Sequence, residues 1–238
     1  DHLPEKASEP FPPKLMLSKA DEVSEIESEA VLKVGYQAAM GMLLWAVRHV
    51  HPGGKVGVSM CCRVMSKPSW IAFGAAMQMI RWMYDNRTTG IRFTAGINTV
   101  PLGFVDASNN KDKADGKAQY SVLYMLAGGP IVSISKKNNH IGCSSAHNEY
   151  MAMYYAHQSM VWIRQLLEEM GLQQMIAHPT VLLGDNTAAN SLSREDIVTS
   201  GNQYVYLHYH YNKEVQELKQ TQEERESLSA INKPKNLQ

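Results

Sequence analysis

The segment Leu102-Gly103-Phe104-Val105-Asp106-Ala107-Ser108 decides the fold, because it reads as a buried strand that ends in an acid and polar residues. Two more strand-like runs follow at residues 118–126 and 130–135. Between these runs, Gly128-Gly129-Pro130 has the composition of a hairpin turn. The sequence therefore predicts three consecutive strands, each antiparallel to the next.

A long helix and one further strand continue the pattern. Ser144-Ser145 is suited to cap the helix, whose apolar positions recur at helical spacing until Gly171 ends it. Residues 180–183 read as a strand, Asp185-Asn186 opens another helix, and a final helix starts near residue 203. The order βββαβα predicts an α/β fold with a mixed central sheet flanked by helices.

The first 90 residues have a different character. Residues 1–29 are rich in Pro, Glu, Lys and Ser, a composition that buries little, and they predict a flexible lead-in arm. Apolar residues then recur at helical spacing over residues 31–50, 55–65 and 68–86. The predicted domains are the arm at 1–29, a helical segment at 30–90, the α/β domain at 91–217 and a charged, solvated tail at 218–238.

The composition excludes several classes of protein. Lys plus Arg and Asp plus Glu both number 23, so no global field draws the chain to nucleic acid or to an anionic membrane, and any nucleic-acid contact must come from a local patch. Three cysteines do not supply a disulfide framework. There is no signal-peptide pattern and no apolar run of about 20 residues. We expect a cytoplasmic or nuclear protein without a membrane partner.

Three acids hold special places in this layout. Asp106 ends the first central strand, Glu149 lies in the first turns of the long helix, and Asp185 follows the fourth strand. Clustered carboxylates repel one another unless a cation neutralises them, so their convergence predicts a site for Mg²⁺ or Mn²⁺. Two such ions about 3.5–4 Å apart support phosphodiester cleavage. The alternatives are a strand-end turn for Asp106 and a helix N-cap for Asp185.

Ordered motifs connect the chain to a family. Segments 103–108, 126–137, 144–152 and 183–189 resemble the ribonuclease H domain of copia-type long-terminal-repeat retrotransposon polyproteins. Residues 36–45, 66–68 and 80–83 are similar to the helical connection that links reverse transcriptase to ribonuclease H in those polyproteins. The resemblance covers about residues 34–217.

This resemblance implies a ribonuclease H-like fold and a nuclease that cuts the RNA strand of an RNA–DNA hybrid. Asp106, Glu149 and Asp185 would be its catalytic residues and would hold two Mg²⁺ or Mn²⁺ ions. The sequence departs from the family at Gly184, which replaces a cysteine, and at Tyr206, which replaces an acid. No segment corresponds to the family's last strand or its fourth carboxylate, and the polymerase Tyr-x-Asp-Asp motif is absent.

Two functions therefore remain open from the sequence. The first is an active, metal-dependent nuclease with an RNA–DNA hybrid as its partner. The second is a domesticated, catalytically inactive relic that serves as a structural subunit or a protein-interaction module, with a protein partner or larger assembly.

Five polar residues are candidates for nucleic-acid contacts: Lys136, Lys137, Asn186, His208 and His210. The two lysines can reach phosphates, and the histidines lie in a tyrosine-rich run that can stack on bases. The alternative for the histidines and tyrosines is half-buried packing, and for the lysines a solvated face.

Overall fold

The computed structural model describes residues 7–96, 99–108, 112–142, 144–185, 211–212 and 214–215, together with the backbone of 221–224. The chain forms two compact units. The helical unit comprises Asp1–Arg92, Asn110–Gln119 and Ser133–Ile141, and the sheet unit comprises Phe93–Asn109, Tyr120–Val132 and Gly142–Gln238. The sequence predicts a boundary near residue 90, but two interior segments beyond it belong to the helical unit.

In the part of the helical unit that the structure describes, four α-helices form the core: α1 (Glu25–Lys33), α2 (Tyr36–His49), α3 (Lys55–Cys62) and α4 (Trp70–Asp85). The sequence predicts a single helix over residues 31–50, whereas the structure breaks it before α2. Gly35 has a φ of 97°, a left-handed conformation that glycine adopts readily, and the break follows from it. No described helix is by itself long and apolar enough to cross a membrane, although α1 and α2, bent by 59°, pass that test as a pair.

The segment before α1 is partly packed into the helical core. Leu17 is buried, and Phe11 and Leu15 pack against the same cluster of residues from α1 to α4. These apolar side chains are spaced too irregularly to form a pattern in the sequence. The structure therefore differs from the predicted arm over this stretch, where burial of apolar surface holds the chain against the helices.

Asp112 is the centre of a buried charge network in the helical unit. Its carboxylate accepts hydrogen bonds from Ser18 Oγ and, at 2.8 Å, from Lys137 Nζ, and Arg63 lies 3.5 Å away. Arg63 also donates a hydrogen bond to Gln119. Burial alone would raise the pKa of Asp112, but the hydrogen bonds from Lys137 and Ser18 lower it to about 2. Asp112 is therefore an ionised group that links four separate parts of the sequence.

Among the described residues the central sheet has five strands: β1 (Leu102–Ala107), β2 (Gln119–Leu126), β3 (Gly129–Lys137), β4 (Thr180–Leu183) and β5 (Thr221–Glu224). Their order is β3-β2-β1-β4-β5. β1 pairs antiparallel with β2 and parallel with β4, and β4 pairs parallel with β5. The helix α5 (Ser145–Glu169) connects β3 to the start of β4. This mixed sheet, with helices in the same unit, confirms the predicted α/β class.

The turn between β2 and β3 lies one residue earlier than the sequence predicts. Ala127 and Gly128 form it, with φ values of 52° and 81°, as the two central residues of a type I′ turn require. Gly129 and Pro130 already belong to β3. A proline is tolerated there because β3 is at the edge of the sheet.

The helix α5 packs against β1 and supplies much of the core of the sheet unit. Its buried apolar residues include Met153, Met160 and Ile163. Ser144 caps its start by accepting a hydrogen bond from the backbone N–H of His147, in agreement with the sequence analysis. α5 therefore runs along the sheet with its first turns at the end of β1.

The strand β5 lies in the stretch that the sequence assigns to a charged tail. Its backbone pairs with β4 in parallel register, from Thr180 opposite Thr221 to Leu183 opposite Glu224. An edge strand needs backbone hydrogen bonds on one side only, and charged residues are common in edge strands because they oppose further pairing. A polar composition therefore does not exclude a strand at this position.

Candidate metal centre

The three predicted acids are placed by β1, β4 and α5. In the parallel pair β1 and β4, Phe104 lies opposite Leu183, and Asp106 and Asp185 each follow two residues later. The carboxyl ends of these neighbouring strands therefore bring the two aspartates to one edge of the sheet. Glu149 reaches the same edge from the first turns of α5.

The structure brings all three side chains together. One carboxylate oxygen of each of Asp106, Glu149 and Asp185 lies within 4.8 Å of the others. Glu149 is only 7% exposed, whereas both aspartates are exposed. The cluster thus has one buried wall, formed by Glu149, and an accessible side formed by the aspartates.

Glu149 is held against β1 by a hydrogen bond. The backbone N–H of Ala107 donates to its Oε2 at 3.0 Å. Because a carboxylate has two oxygens, this bond orients Glu149 while the other oxygen can bind a cation. Ala107 was not a candidate in the sequence analysis, since a backbone donor leaves no signal in residue type.

The pKa values of two members of the cluster, Glu149 and Asp106, are raised. Burial raises the pKa of Glu149 to about 8, assisted by the negative charges of Asp106 and Asp185 and opposed by the Ala107 N–H. Burial also raises the pKa of Asp106, and the negative charge of Asp185 raises it further. Mutual repulsion of this kind is relieved when a cation binds between the carboxylates.

The donor set fits a hard divalent cation. Carboxylate oxygens are the ligands that Mg²⁺ and Mn²⁺ prefer, and Mg²⁺ binds them at about 2.0–2.1 Å. Two ligands of one ion are therefore at most about 4.2 Å apart. The carboxylate oxygens of the three acids are up to 4.8 Å apart, slightly more than that limit. The three side chains would therefore move closer together to bind one ion, or would hold two ions between them.

An aromatic cluster lies beside the centre and was only partly anticipated. Tyr120, which pairs with Ala107, stacks on Tyr155 of α5 with ring centroids 4.4 Å apart. Tyr154 meets Tyr211 edge to face at 5.1 Å. Tyr211 belongs to the tyrosine-rich run, for which the sequence left base stacking and half-buried packing as alternatives. In the structure it packs against another tyrosine and remains partly exposed.

The predicted nucleic-acid contacts have different outcomes. Lys136 is exposed on β3. Lys137 is half-buried, and its ammonium group pairs with Asp112 at 2.8 Å and with Asp115 at 2.9 Å, so its charge already has two internal partners. Asn186, His208 and His210 lie outside the described residues, as does Tyr206.

Comparison with known proteins relates the chain to transposon polyproteins. It is 25% identical over 209 residues to the retrovirus-related Pol polyprotein from transposon TNT 1-94 of Nicotiana tabacum, a match that covers 87% of this chain and 15% of that polyprotein. It is 27% identical over 177 residues to the corresponding polyprotein from transposon RE2 of Arabidopsis thaliana, covering 74% of this chain and 12% of that one. The predicted relationship to retrotransposon Pol polyproteins is confirmed, and the chain spans only a small part of their length.

The comparisons also found a shorter relative and a weak likeness to solved structures. The secreted RxLR effector protein 161 of Plasmopara viticola is 27% identical over 130 residues, which cover 55% of this chain and 92% of that protein. Two solved ribonucleases H1 have TM-scores of 0.41 and 0.39 with 9% and 11% identity: LC11, isolated from compost, and the enzyme of Halobacterium salinarum. They cover 56% and 55% of this chain and 87% of each of those chains. No protein-family model matches the chain.

Proposed function

From its homology to retrotransposon Pol polyproteins, we propose that the sheet unit is a ribonuclease H-type, metal-dependent endonuclease that cuts the RNA strand of an RNA–DNA hybrid. The observation that carries the proposal is the convergence of Asp106, Glu149 and Asp185 within 4.8 Å. The motifs around these acids favour a copia-type retroelement as the source.

The three carboxylates would hold Mg²⁺ or Mn²⁺, with two ions in the active form. When bound, such ions activate a water molecule and stabilise the leaving oxygen of a phosphodiester. The chain's own part is to hold its ligands in place. The Ala107 N–H fixes one oxygen of Glu149, and the parallel pairing of β1 with β4 fixes the spacing of the two aspartates.

Hybrid recognition would depend on shape and backbone and would not read base sequence. A protein reads A-like duplexes through phosphates and 2′-hydroxyl groups in the wide minor groove. Among the candidate contacts, the exposed Lys136 is suited to a phosphate. Asn186, His208 and His210 remain proposed contacts from the sequence.

A second candidate function is a domesticated relic without catalysis, serving as a structural subunit or a protein-interaction module. It is favoured by one specific observation: the cluster formed by the described residues has three acids. At residue 206, where the family motif has an acid, this sequence has a tyrosine. In this case a protein partner would replace the hybrid.

Hydrolysis of a hybrid with a labelled RNA strand, in Mg²⁺ or Mn²⁺, tests the nuclease. We expect cleavage by the wild-type chain and a loss of at least about 100-fold in Asp106→Asn and in Asp185→Asn. Glu169→Gln is the matched control, because Glu169 is an exposed acid at the far end of α5. No cleavage at high protein concentration, or cleavage that Asp185→Asn leaves unchanged, would contradict the proposal.

Calorimetric titration with Mn²⁺ separates the two candidates. Heats that Asp106→Asn abolishes favour the nuclease. Absence of binding, together with a protein that co-purifies, favours the relic.

A further inference from the structure

Arg164, on the C-terminal half of α5, holds the chain segment that leads into β4. Its guanidinium donates to the carbonyl oxygens of Ile176 at 2.8 Å and His178 at 3.0 Å. It also donates to Thr180 Oγ1 at 3.2 Å. Thr180 is the first residue of β4 and is fully buried. One side chain therefore ties α5 to the start of the strand that leads to Asp185.

The chemistry of this contact suits arginine alone among the cations. A guanidinium is a planar, rigid fork with five N–H donors, whereas lysine has a single ammonium group on a flexible stem. Three acceptors spread over five residues of backbone can be bound at once by the fork. Such a contact defines both the distance and the angle between the two elements.

Arg164 and the acid cluster lie at opposite ends of the same pair of elements. Glu149 precedes Arg164 by 15 residues along α5, which is about 22 Å of helix. Asp185 follows Thr180 by 5 residues, which is about 17 Å of extended chain. Because the chain reverses between α5 and β4, Glu149 and Asp185 meet at one end while Arg164 and Thr180 meet at the other.

The apolar face of α5 includes adaptable side chains, so directional contacts also contribute to its position along the sheet. Its buried face includes Met151, Met153 and Met160, and methionine adapts to small displacements of its neighbours. Directional ties come from polar contacts: Ala107 N–H to Glu149, Tyr124 OH to the Ala156 carbonyl at 2.9 Å, and Arg164 at the far end.

Asp106 and Asp185 have a different support, since the ladder between β1 and β4 holds both. Glu149 alone arrives on a helix. A shift of α5 along its axis therefore changes the distance from Glu149 to the aspartates and leaves the distance between the aspartates unchanged.

We propose that Arg164 is a positioning residue of the metal centre, which fixes α5 along β4 so that Glu149 meets Asp106 and Asp185. The proposal rests on the proposed function, because it assumes that the three acids bind a cation. Arg164 does not touch the cation or the substrate in this role. Its effect reaches the centre through α5.

The test is the Mn²⁺ affinity of the full chain, measured by calorimetry at a temperature where circular dichroism shows every variant to be folded. We expect the dissociation constant to rise about 10-fold in Arg164→Lys and about 10- to 100-fold in Arg164→Gln. Thr180→Val removes one of the three acceptors, and we expect a rise of about 3- to 5-fold. This variant also serves if Arg164→Gln does not fold.

Two controls separate positioning from stability. Ile163→Val removes one buried methylene beside Arg164, so it lowers the unfolding midpoint, and we expect no change in Mn²⁺ affinity. Gln165→Ala changes an exposed neighbour and should alter neither quantity. If the wild-type chain cleaves hybrids, saturating Mn²⁺ should also restore most of the rate of Arg164→Lys, because its defect is one of affinity.

The outcomes are distinct. Unchanged Mn²⁺ affinity in folded Arg164→Lys and Thr180→Val, with the wild type binding normally, would overturn the positioning role and leave the proposed function intact. A weaker affinity in Ile163→Val equal to that in Arg164→Lys would also overturn it. Absence of Mn²⁺ binding by the wild type would overturn both proposals.

Discussion

A methyl group added at Gly103 should disrupt the packing of β1 against both of its neighbouring strands. Gly103 lies opposite Tyr124 on β2 and opposite Leu182 on β4. A Cβ at this position would lie 2.5 Å from Tyr124 Cε1 and 2.8 Å from Leu182 Cδ1. Carbon atoms in contact are ordinarily about 3.5–4.0 Å apart, so the overlap is about 1 Å on each side.

The magnitude follows from how little Tyr124 can move. Its ring is fully buried, and its hydroxyl donates to the Ala156 carbonyl at 2.9 Å. Overpacking costs about 1–3 kcal/mol, and a broken hydrogen bond adds about 0.5–1.5 kcal/mol. We expect Gly103→Ala to lower the free energy of unfolding by about 2–4 kcal/mol, which is a large part of the stability of an ordinary domain.

Urea unfolding followed by far-ultraviolet circular dichroism measures this loss. Gly74→Ala is the control, because Gly74 lies in α4 with nothing within 4 Å of a new Cβ, and alanine there should stabilise by up to about 1 kcal/mol. A double-mutant cycle with Tyr124→Ala should show coupling, since removal of the ring relieves the overlap. Gly103→Ala within about 0.5 kcal/mol of the wild type would refute the reasoning.

Three further predictions concern charge. Asp112→Asn should lower the free energy of unfolding by about 3 kcal/mol, because it removes the buried anion that Lys137 and Arg63 share. Urea unfolding measures this change, and a loss below about 1 kcal/mol would contradict the prediction. The pKa of Asp112 in the folded chain is about 2, below its ordinary 3.8, so its contribution to stability is complete above about pH 5 and is lost as the pH falls through 2. Acid titration of Asp112→Asn should lack this step. Burial and the charge of Asp106 raise the pKa of Glu149 to about 8, so Mn²⁺ binding at pH 7 should release a proton from a large fraction of the molecules. Calorimetry in buffers of different ionisation enthalpy detects this release, and identical heats in all buffers would argue against it.

Local signals in the sequence predicted the elements that carry the acids. Ser144 as the cap and Gly171 beyond the end define α5, and the apolar run at 180–183 defines β4, because capping and alternation depend on neighbouring residues alone. The sequence also placed Asp106 and Asp185 at strand ends, from which their convergence was predicted. The parallel pairing of β1 with β4, which brings the two strand ends to one edge, comes from the structure.

Features that depend on distant residues could not be predicted in this way. Lys137 was a candidate for phosphate binding, and nothing near it in the sequence indicates that Asp112 and Asp115 bind its ammonium group. The hydrogen bonds from Ala107 to Glu149 and from Arg164 to the segment before β4 could not be predicted either. The first uses a backbone donor and the second uses backbone acceptors, which residue type does not reveal. The strand β5 was not predicted, because it pairs with β4 through its backbone and its sequence has no apolar pattern.

Segments of the two units alternate along the sequence, and this affects where a gene encoding the chain can be divided. β2 and β3 each contribute residues to both units, and Asp112 depends on Arg63, which precedes it by 49 positions. A fragment that starts after Arg92 would retain Asp112 and Lys137 but would lack the arginine and the serine that complete their network. Recombination at that point would therefore transfer an incomplete fold. We expect the two units to be inherited together.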